Sequence, residues 1–320
     1  MLSRLKRGLG MALTAVLLAA CGGGTAPQSS SSLPAVESLN ARYANPERSW
    51  IRPGAASGTL LYVSSINTEA VYIFSYPRLR LVGYLGQFGH QLAGICSDQK
   101  GNVFVPQFNH PKILEYAHGG TKPIASLKLP GSYPYTCAVD PTTGNLAVAA
   151  AFYNGGVRVA IYNSAKGKPA IYSDPYAKGP LCGYDNHSNL FVDGSGKSKN
   201  FVLSELAKGA TSFSEITVNY DIRSSGNVQW DGKYITVLDG SYGVIYRLKI
   251  AGSSATVVGS TTLNDAGGAF GSWIHGHHVI IPVQAREAVK IYRYPAGGDA
   301  IKTTPVQGTF SATVSVAPNR

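Results

Sequence analysis

Three sets of residues in the 320-residue chain have side chains suited to chemistry. His275, His277 and His278 fall within "HGHH", and imidazole is the commonest transition-metal ligand. An aspartate recurs at Asp98, Asp140, Asp185 and Asp231, as a ring of acids or oxygen ligands would. "GSGKS" at 194–198 ends like a phosphate-cradling loop. Each has a simpler structural reading. The histidines share one hairpin turn with no carboxylate close by in sequence, so an exposed hairpin and no metal are expected. Every aspartate opens a tight turn, where its carboxylate bonds its own backbone. Phe191 stands where the phosphate motif needs its first glycine, and the segment lies between two strands, so no phosphate chemistry is expected. Neither Gly-x-Ser-x-Gly nor His-Glu-x-x-His occurs. No catalytic residue and no cofactor is assigned.

The elements that carry these residues repeat. "LAGICSDQKGNVFV" (92–105), "YTCAVDPTTGNLAV" (135–148), "LCGYDNHSNLFV" (181–192), "NVQWDGKYITV" (227–237) and "GSWIHGHHVII" (271–281) are each a strand, a polar turn and a strand. Asp98, Asp140, Asp185, Asp231 and His275 mark the turns at spacings of 42, 45, 46 and 44 residues. A sixth fragment, "SATVSVAPNR" (311–320), supplies a first strand alone, and residues 59–85 supply the second, third and fourth strands without a first. Four strands repeated at this period predict an all-β, six-bladed β-propeller, closed by the C-terminal strand joining the N-terminal blade. The "SDQKGNVFV" and "VDPTTGNLAV" segments resemble NHL-repeat propellers. The chain from Ser49 onward, with "YAHGGTKPIA", "VQWDGKYITV" and "RYPAGGDAIKT", is similar to uncharacterised acidobacterial-type lipoproteins; the resemblance implies a propeller fold and export, and no activity.

Residues 1–20 read as a signal peptide, with Arg4, Lys6 and Arg7 ahead of an uncharged run to Ala20. Leu18-Ala19-Ala20-Cys21 resembles a lipoprotein lipobox, so Cys21 is the expected acylated anchor, and Gly22 after it resembles the pattern of outer-membrane lipoproteins. Residues 21–57 are expected to form a flexible tether reaching roughly 33 Å, and 58–320 the propeller. Removing three cations with the signal peptide takes the formal charge from +11 to +8. Clusters of Lys and Arg are few, so no nucleic-acid partner is expected. The domain is read as a monomer.

Beyond Cys21 remain Cys96, Cys137 and Cys182, an odd number for an oxidising compartment. Cys96 stands two residues before its turn aspartate, whereas Cys137 and Cys182 each stand three before theirs. Strand side chains alternate, so Cys96 and Cys137 point opposite ways from adjacent blades and can meet, while Cys137 and Cys182 point alike. A Cys96–Cys137 disulfide with Cys182 free is one expectation; three buried thiols packed as hydrophobes are the other.

The first-to-second and third-to-fourth turns share a lower face, and the remaining loops share an upper face. Entry at a second strand predicts that the tether leaves from the lower face, where Arg78, Arg80, Lys122, Lys166, Lys168 and Lys208 would face the membrane. The upper loops gather His90, Gln107, Asn109, His110, Tyr133, Tyr135, Tyr153, Asn154, Asp193, Asn227, Asp239, Tyr242 and Arg286. Aromatic rings among amides and acids suit a site that stacks on a ligand while satisfying its polar groups. The leading reading is a membrane-anchored, extracytoplasmic module that binds a glycan, peptide or envelope protein. The alternative is a metal-dependent lactonase or hydrolase of the gluconolactonase-like six-bladed class. The channel positions Gly94, Ile95, Cys137, Cys182, Val228 and Ser272 are small or apolar, which weighs against a metal held there.

Overall fold

The computed structural model describes residues 48–318, apart from 87, 90, 153–156 and 198. Cys21 therefore lies outside the described residues, as do His90, Tyr153 and Asn154. The fold is all-β and propeller-like. Five hydrogen-bonded sheets succeed one another: one five-stranded, three four-stranded and one eight-stranded. Strands such as Leu60–Ser65 and Val103–Gln107 are buried along their whole length, because each sheet packs against neighbours on both faces. Their sequences accordingly run apolar without strict alternation.

The two ends of the chain meet in the first sheet. Leu60–Ser65 pairs antiparallel with Ala70–Ser75 on one side and with Thr309–Ser315 on the other, from Leu60↔Ser315 to Ser65↔Thr309. Leu61 and Val63 then pack against Ile280 and Ile291 of the last sheet, while Tyr62 and Ile73 pack against Val103 and Val105 of the next. Thr309–Ser315 thus covers the edge that Leu60–Ser65 would otherwise present.

Six separate four-stranded sheets were expected, and the described residues form five sheets. The eight-stranded sheet consists of two antiparallel runs, Lys178–Tyr184 to Ser214–Val218 and Val228–Trp230 to Ser254–Thr262. A short parallel pairing, Thr217↔Ser254 and Val218↔Ala255, joins their outer strands. The first sheet gains a fifth strand because Trp50–Ile51, read as tether from the sequence, pairs with Tyr84 and Gly83.

That added strand also shows where the described chain enters the fold, which is not at the second strand. Trp50–Ile51 runs antiparallel to Arg80–Leu85, and the Gly86 N–H that follows this strand donates to Ser49 Oγ at 3.1 Å. The described chain thus begins beside the upper end of the outer strand and not on the basic lower face; residues 21–47 of the expected tether lie outside the described residues.

The recurrent aspartates hold the hairpin turns. Asp98 Oδ1 accepts from the N–H groups of Lys100 (2.9 Å) and Asn102 (2.7 Å), and Asp185 Oδ1 from those of His187 (2.8 Å) and Asn189 (2.9 Å). Asp140 accepts from Thr142 N–H and the Thr143 hydroxyl, and Asp231 from the N–H groups of Lys233 and Tyr234. The carboxylates serve the backbone donors that the turns leave unpaired.

Around the axis, neighbouring first strands meet through side chains. Gln229 Oε1 accepts from Ile274 N–H (2.6 Å) while its Nε2 donates to Ile274 O (3.1 Å), so one amide side chain stands in for a ladder rung. Asn227 Nδ2 donates to Ser272 O at 2.7 Å. Gly94 N–H donates to Tyr135 O (2.7 Å), and a Cβ on Gly94 would lie 2.6 Å from Thr136 Oγ1, so this approach needs glycine. Cys96 and Cys137 are joined by a disulfide between neighbouring first strands, their Cα atoms 5.6 Å apart. Cys182 is free and buried, and burial pushes its thiol up to about 12.

Candidate functional site

The axis encloses a cavity of about 320 Å³. Its walls come from the first strand of every unit: Ile95, Cys137, Cys182, Val228, Ser272 and Ala312 among them. At one end the lining residues Ile95, Thr136 and Ser272 are buried and Asn227 and Ser311 are half-buried. At the other, Gln99 and Val316 are exposed and Trp230, Trp273 and His275 are half-buried, so the cavity opens on the lower face.

Beside the end lined by Thr136, Ser272 and Ser311 runs a track of aromatic rings. Tyr133 packs on Phe108 with ring centroids 5.7 Å apart, Phe108 on Tyr135 at 5.8 Å, Tyr135 on Phe310 at 5.6 Å, and Phe310 on Phe270 at 5.9 Å. The strand Ser132–Val139 positions two members: its register against Leu146–Phe152 shifts at Tyr135, and Tyr133 and Tyr135 both meet the Phe108 ring. Tyr133 and Phe270, at the two ends, are 39% and 42% exposed. Contacts of this kind fix ring orientation and contribute about 0.5–1.5 kcal/mol per pair beyond area burial.

Beneath the track lies Asp193, wholly buried in the strand Leu190–Ser195. Its Oδ2 accepts from Gly226 N–H at 3.3 Å, and its Oδ1 is buried with no hydrogen-bond partner. Burial pushes the carboxyl up to about 7, opposed by the N–H groups of Gly226 and Asn227. The same charge adds to the burial that raises the Tyr135 hydroxyl. Gln107, 1% exposed, likewise has an unpartnered Oε1.

The remaining upper-face candidates divide by what they touch. Asn109 Nδ2 donates to Gln91 Oε1 at 3.4 Å, and the backbone N–H of half-buried His110 donates to Gln107 O. Tyr242 is 63% exposed. Three are committed to the framework. Asp239, 1% exposed, accepts from Arg223 N–H (2.9 Å) and the Ser224 hydroxyl (3.0 Å). Asn227 bridges to Ser272. Arg286 Nε donates to Asp265 Oδ1 at 2.8 Å, and Asp265 also binds the ammonium of nearly buried Lys290. These two cations hold the Asp265 carboxyl below its usual range.

Phe270 and Phe310 were not among the sequence candidates. A signal for them exists: Phe270 stands five residues before His275 as Tyr135 stands five before Asp140, and Phe310 stands seven before Ala317 as Tyr133 stands seven before Asp140. The histidine hairpin also carries more than an exposed turn. His278 Nδ1 shares a hydrogen bond with the Tyr76 hydroxyl at 2.9 Å, and the Tyr76 ring meets His275 edge-on. His275 is held below its usual range by burial and by His278. Among the described residues no three His, Cys, Asp or Glu side chains cluster as metal ligands would. The "GSGKS" glycines sit at the end of a strand and in the loop after it.

No known protein-family model matches the chain, and no curated protein matches it in sequence. Solved structures resemble it in shape. A structure described as a nidogen/laminin complex aligns with a TM-score of 0.67 and 12% identity, over 82% of this chain and all of that one. A protein of unknown function from Bacteroides caccae aligns at 0.57 and 12% identity, over 81% and 99% of the two chains. The Cps50 (Swd1) β-propeller domain of Myceliophteria thermophila aligns at 0.52 and 9% identity, over 82% and 86%. At these identities the likeness is one of fold, and a propeller fold is compatible with a generic binding or protein-interaction module.

Proposed function

We propose that this chain is a six-bladed propeller, tethered to the cell envelope through a lipid on Cys21, whose upper face binds a segment of a partner polypeptide. The blade count follows if the two antiparallel runs of the eight-stranded sheet are counted separately, since apolar clusters lie on both sides of each run. The observation that carries the binding reading is the aromatic track, exposed at Tyr133 and Phe270 and continuous between them. Rings of Phe and Tyr grip apolar side chains, and rigid aromatic anchors dominate protein recognition. That one similar structure is a complex of two proteins supports the same choice.

Anchoring has a direct test. The Cys21→Ser chain is expected in the soluble periplasmic fraction while the native chain sediments with membranes and incorporates labelled palmitate; equal fractionation of the two would remove the anchor from the account. Binding is tested on the same lipid-free form by panning a random peptide library. Selected peptides should bind at least tenfold more weakly when Tyr133→Ala and Phe270→Ala are combined, about 1.4 kcal/mol or more. Ile171→Ala, on an exposed outer strand, should leave binding unchanged.

A further inference from the structure

None of the five rings of the aromatic track lines the cavity on the axis, and the chemistry of its walls differs from that of the upper face. We propose that it is a second binding site, for one small uncharged aromatic molecule, entered from the lower face. The volume of about 320 Å³ lies at the lower end of the range for small-molecule sites.

The walls select an apolar guest. Ile95, Cys137, Cys182, Val228, Ser272 and Val314 each stand three residues before the turn residue of a first strand, and together they form one tier of the lining, apolar except at Ser272. Two residues further along their strands, Tyr184 and Trp230 line the next tier toward the mouth. Amides and hydroxyls along the walls are committed to neighbouring strands. Gln229 is bonded twice to Ile274, Asn227 Nδ2 donates to Ser272 O, Ser97 Oγ donates to Val314 O at 2.8 Å, and Ser311 Oγ accepts from Ile95 N–H at 3.2 Å. A sugar or peptide inserted here would bury its own hydroxyl or amide groups without partners, at a cost of about 1–3 kcal/mol for each. An aromatic ring incurs no such cost, gains the transfer from water, and finds the rings of Tyr184, Trp230 and Trp273 in the lining to pack on.

The lining selects against charge of either sign. No Lys or Arg lines the cavity, and its one formally charged lining side chain is Asp98. That carboxylate already accepts from three donors: the N–H groups of Lys100 and Asn102 at Oδ1, and Asn102 Nδ2 at Oδ2, 3.0 Å away. His275, the imidazole of the lining, is held below its usual range by burial and by His278, which keeps it neutral at pH 7. Lys100 and Lys166 stand outside the lining and act on Glu115, whose carboxyl burial and Asp98 raise and these two cations lower. An anionic guest would find no cation in the cavity, and a cationic one would find a carboxylate already supplied with donors. Either would give up its hydration without compensation.

The test uses the full chain carrying Cys21→Ser, with 4-nitrobenzyl alcohol, 4-nitrobenzoate and 4-nitrobenzylammonium as probes of similar shape and three different charges. Nitroaromatic rings quench tryptophan on contact, so occupancy is read by the fluorescence of Trp230 and Trp273, and affinity and stoichiometry by calorimetry. The alcohol is expected to bind one per chain, and at least fivefold more tightly than either ion. Combined Trp230→Phe and Trp273→Phe leaves Trp50, in the first sheet, as the remaining indole, and saturable quenching by the alcohol should then be lost. Absence of one-to-one binding overturns the site. Binding of either ion within fivefold of the alcohol overturns the uncharged assignment, and saturable quenching that persists in the double variant overturns the location. The upper-face reading stands or falls separately, because Tyr133→Ala with Phe270→Ala should leave binding of the alcohol unchanged.

Discussion

Asp193→Asn is expected to make the protein more stable at pH 8, by about 2 kcal/mol, and no more stable than the native chain at pH 4. The native carboxyl is wholly buried, with one oxygen unpartnered and the other receiving a 3.3 Å bond from Gly226 N–H. Burial raises it from 3.8 to about 7. The sign follows from proton linkage. Between these two values the folded chain holds a proton that the unfolded chain has released, so stability falls as pH rises from about 4 to about 7 and is level above that. A shift of this size corresponds to at most about 4 kcal/mol. Asparagine is neutral throughout and keeps an acceptor for Gly226, but places a buried amide N–H where the free oxygen lay, which takes back about 1–3 kcal/mol. Urea denaturation of both chains from pH 4 to pH 8 checks this: the difference in unfolding free energy should open across that window. A difference independent of pH would mean that Asp193 ionises as freely in the folded chain as in the unfolded one.

Removing the disulfide should have a comparable effect in the opposite direction. Cys96 and Cys137 are 41 residues apart in sequence, and opening a loop of that length returns about 4 kcal/mol of chain entropy to the unfolded state. Combined Cys96→Ala and Cys137→Ala should lower Tm by about 8 °C, whereas Cys182→Ala, which removes one buried sulfur, should lower it by a smaller amount. Thiol counting supplies the check on pairing in the Cys21→Ser chain. No thiol should react in the folded state, since Cys182 is buried and its thiol is raised to about 12; one should react on unfolding and three after reduction. Three on unfolding without reductant would show that the bond is absent.

These two residue sets show what a sequence makes legible. The strand–turn–strand repeat can be read because each turn needs the same device, an acid accepting the N–H groups two to four residues on, and that need leaves Asp98, Asp140, Asp185 and Asp231 at regular spacing. Ring closure is legible as a first strand missing at one end of the chain and supplied at the other. The relation between Cys96 and Cys137 follows from strand parity. Other features depend on contacts between distant segments. Nothing local marks Trp50–Ile51 as a strand, since its pairing needs the edge of Arg80–Leu85. The parallel contact at Thr217–Val218 needs two outer strands to lie side by side. Arg286 and Asp239 read as open loop residues, and their partners Asp265 and Arg223 come from neighbouring loops. His275 is half-buried because Tyr76, from the first sheet, closes over it.

The central claim is that the aromatic track meets a polypeptide partner in the envelope. Site-specific photo-crosslinking in intact cells tests it most directly, with a benzophenone side chain placed at Tyr133, at Phe270 or, as a control, at Ile171 on the outer strand Ala170–Asp174. The account predicts one discrete protein adduct shared by the Tyr133 and Phe270 positions and absent at Ile171. No adduct at either track position, or the same adducts at all three, would contradict it.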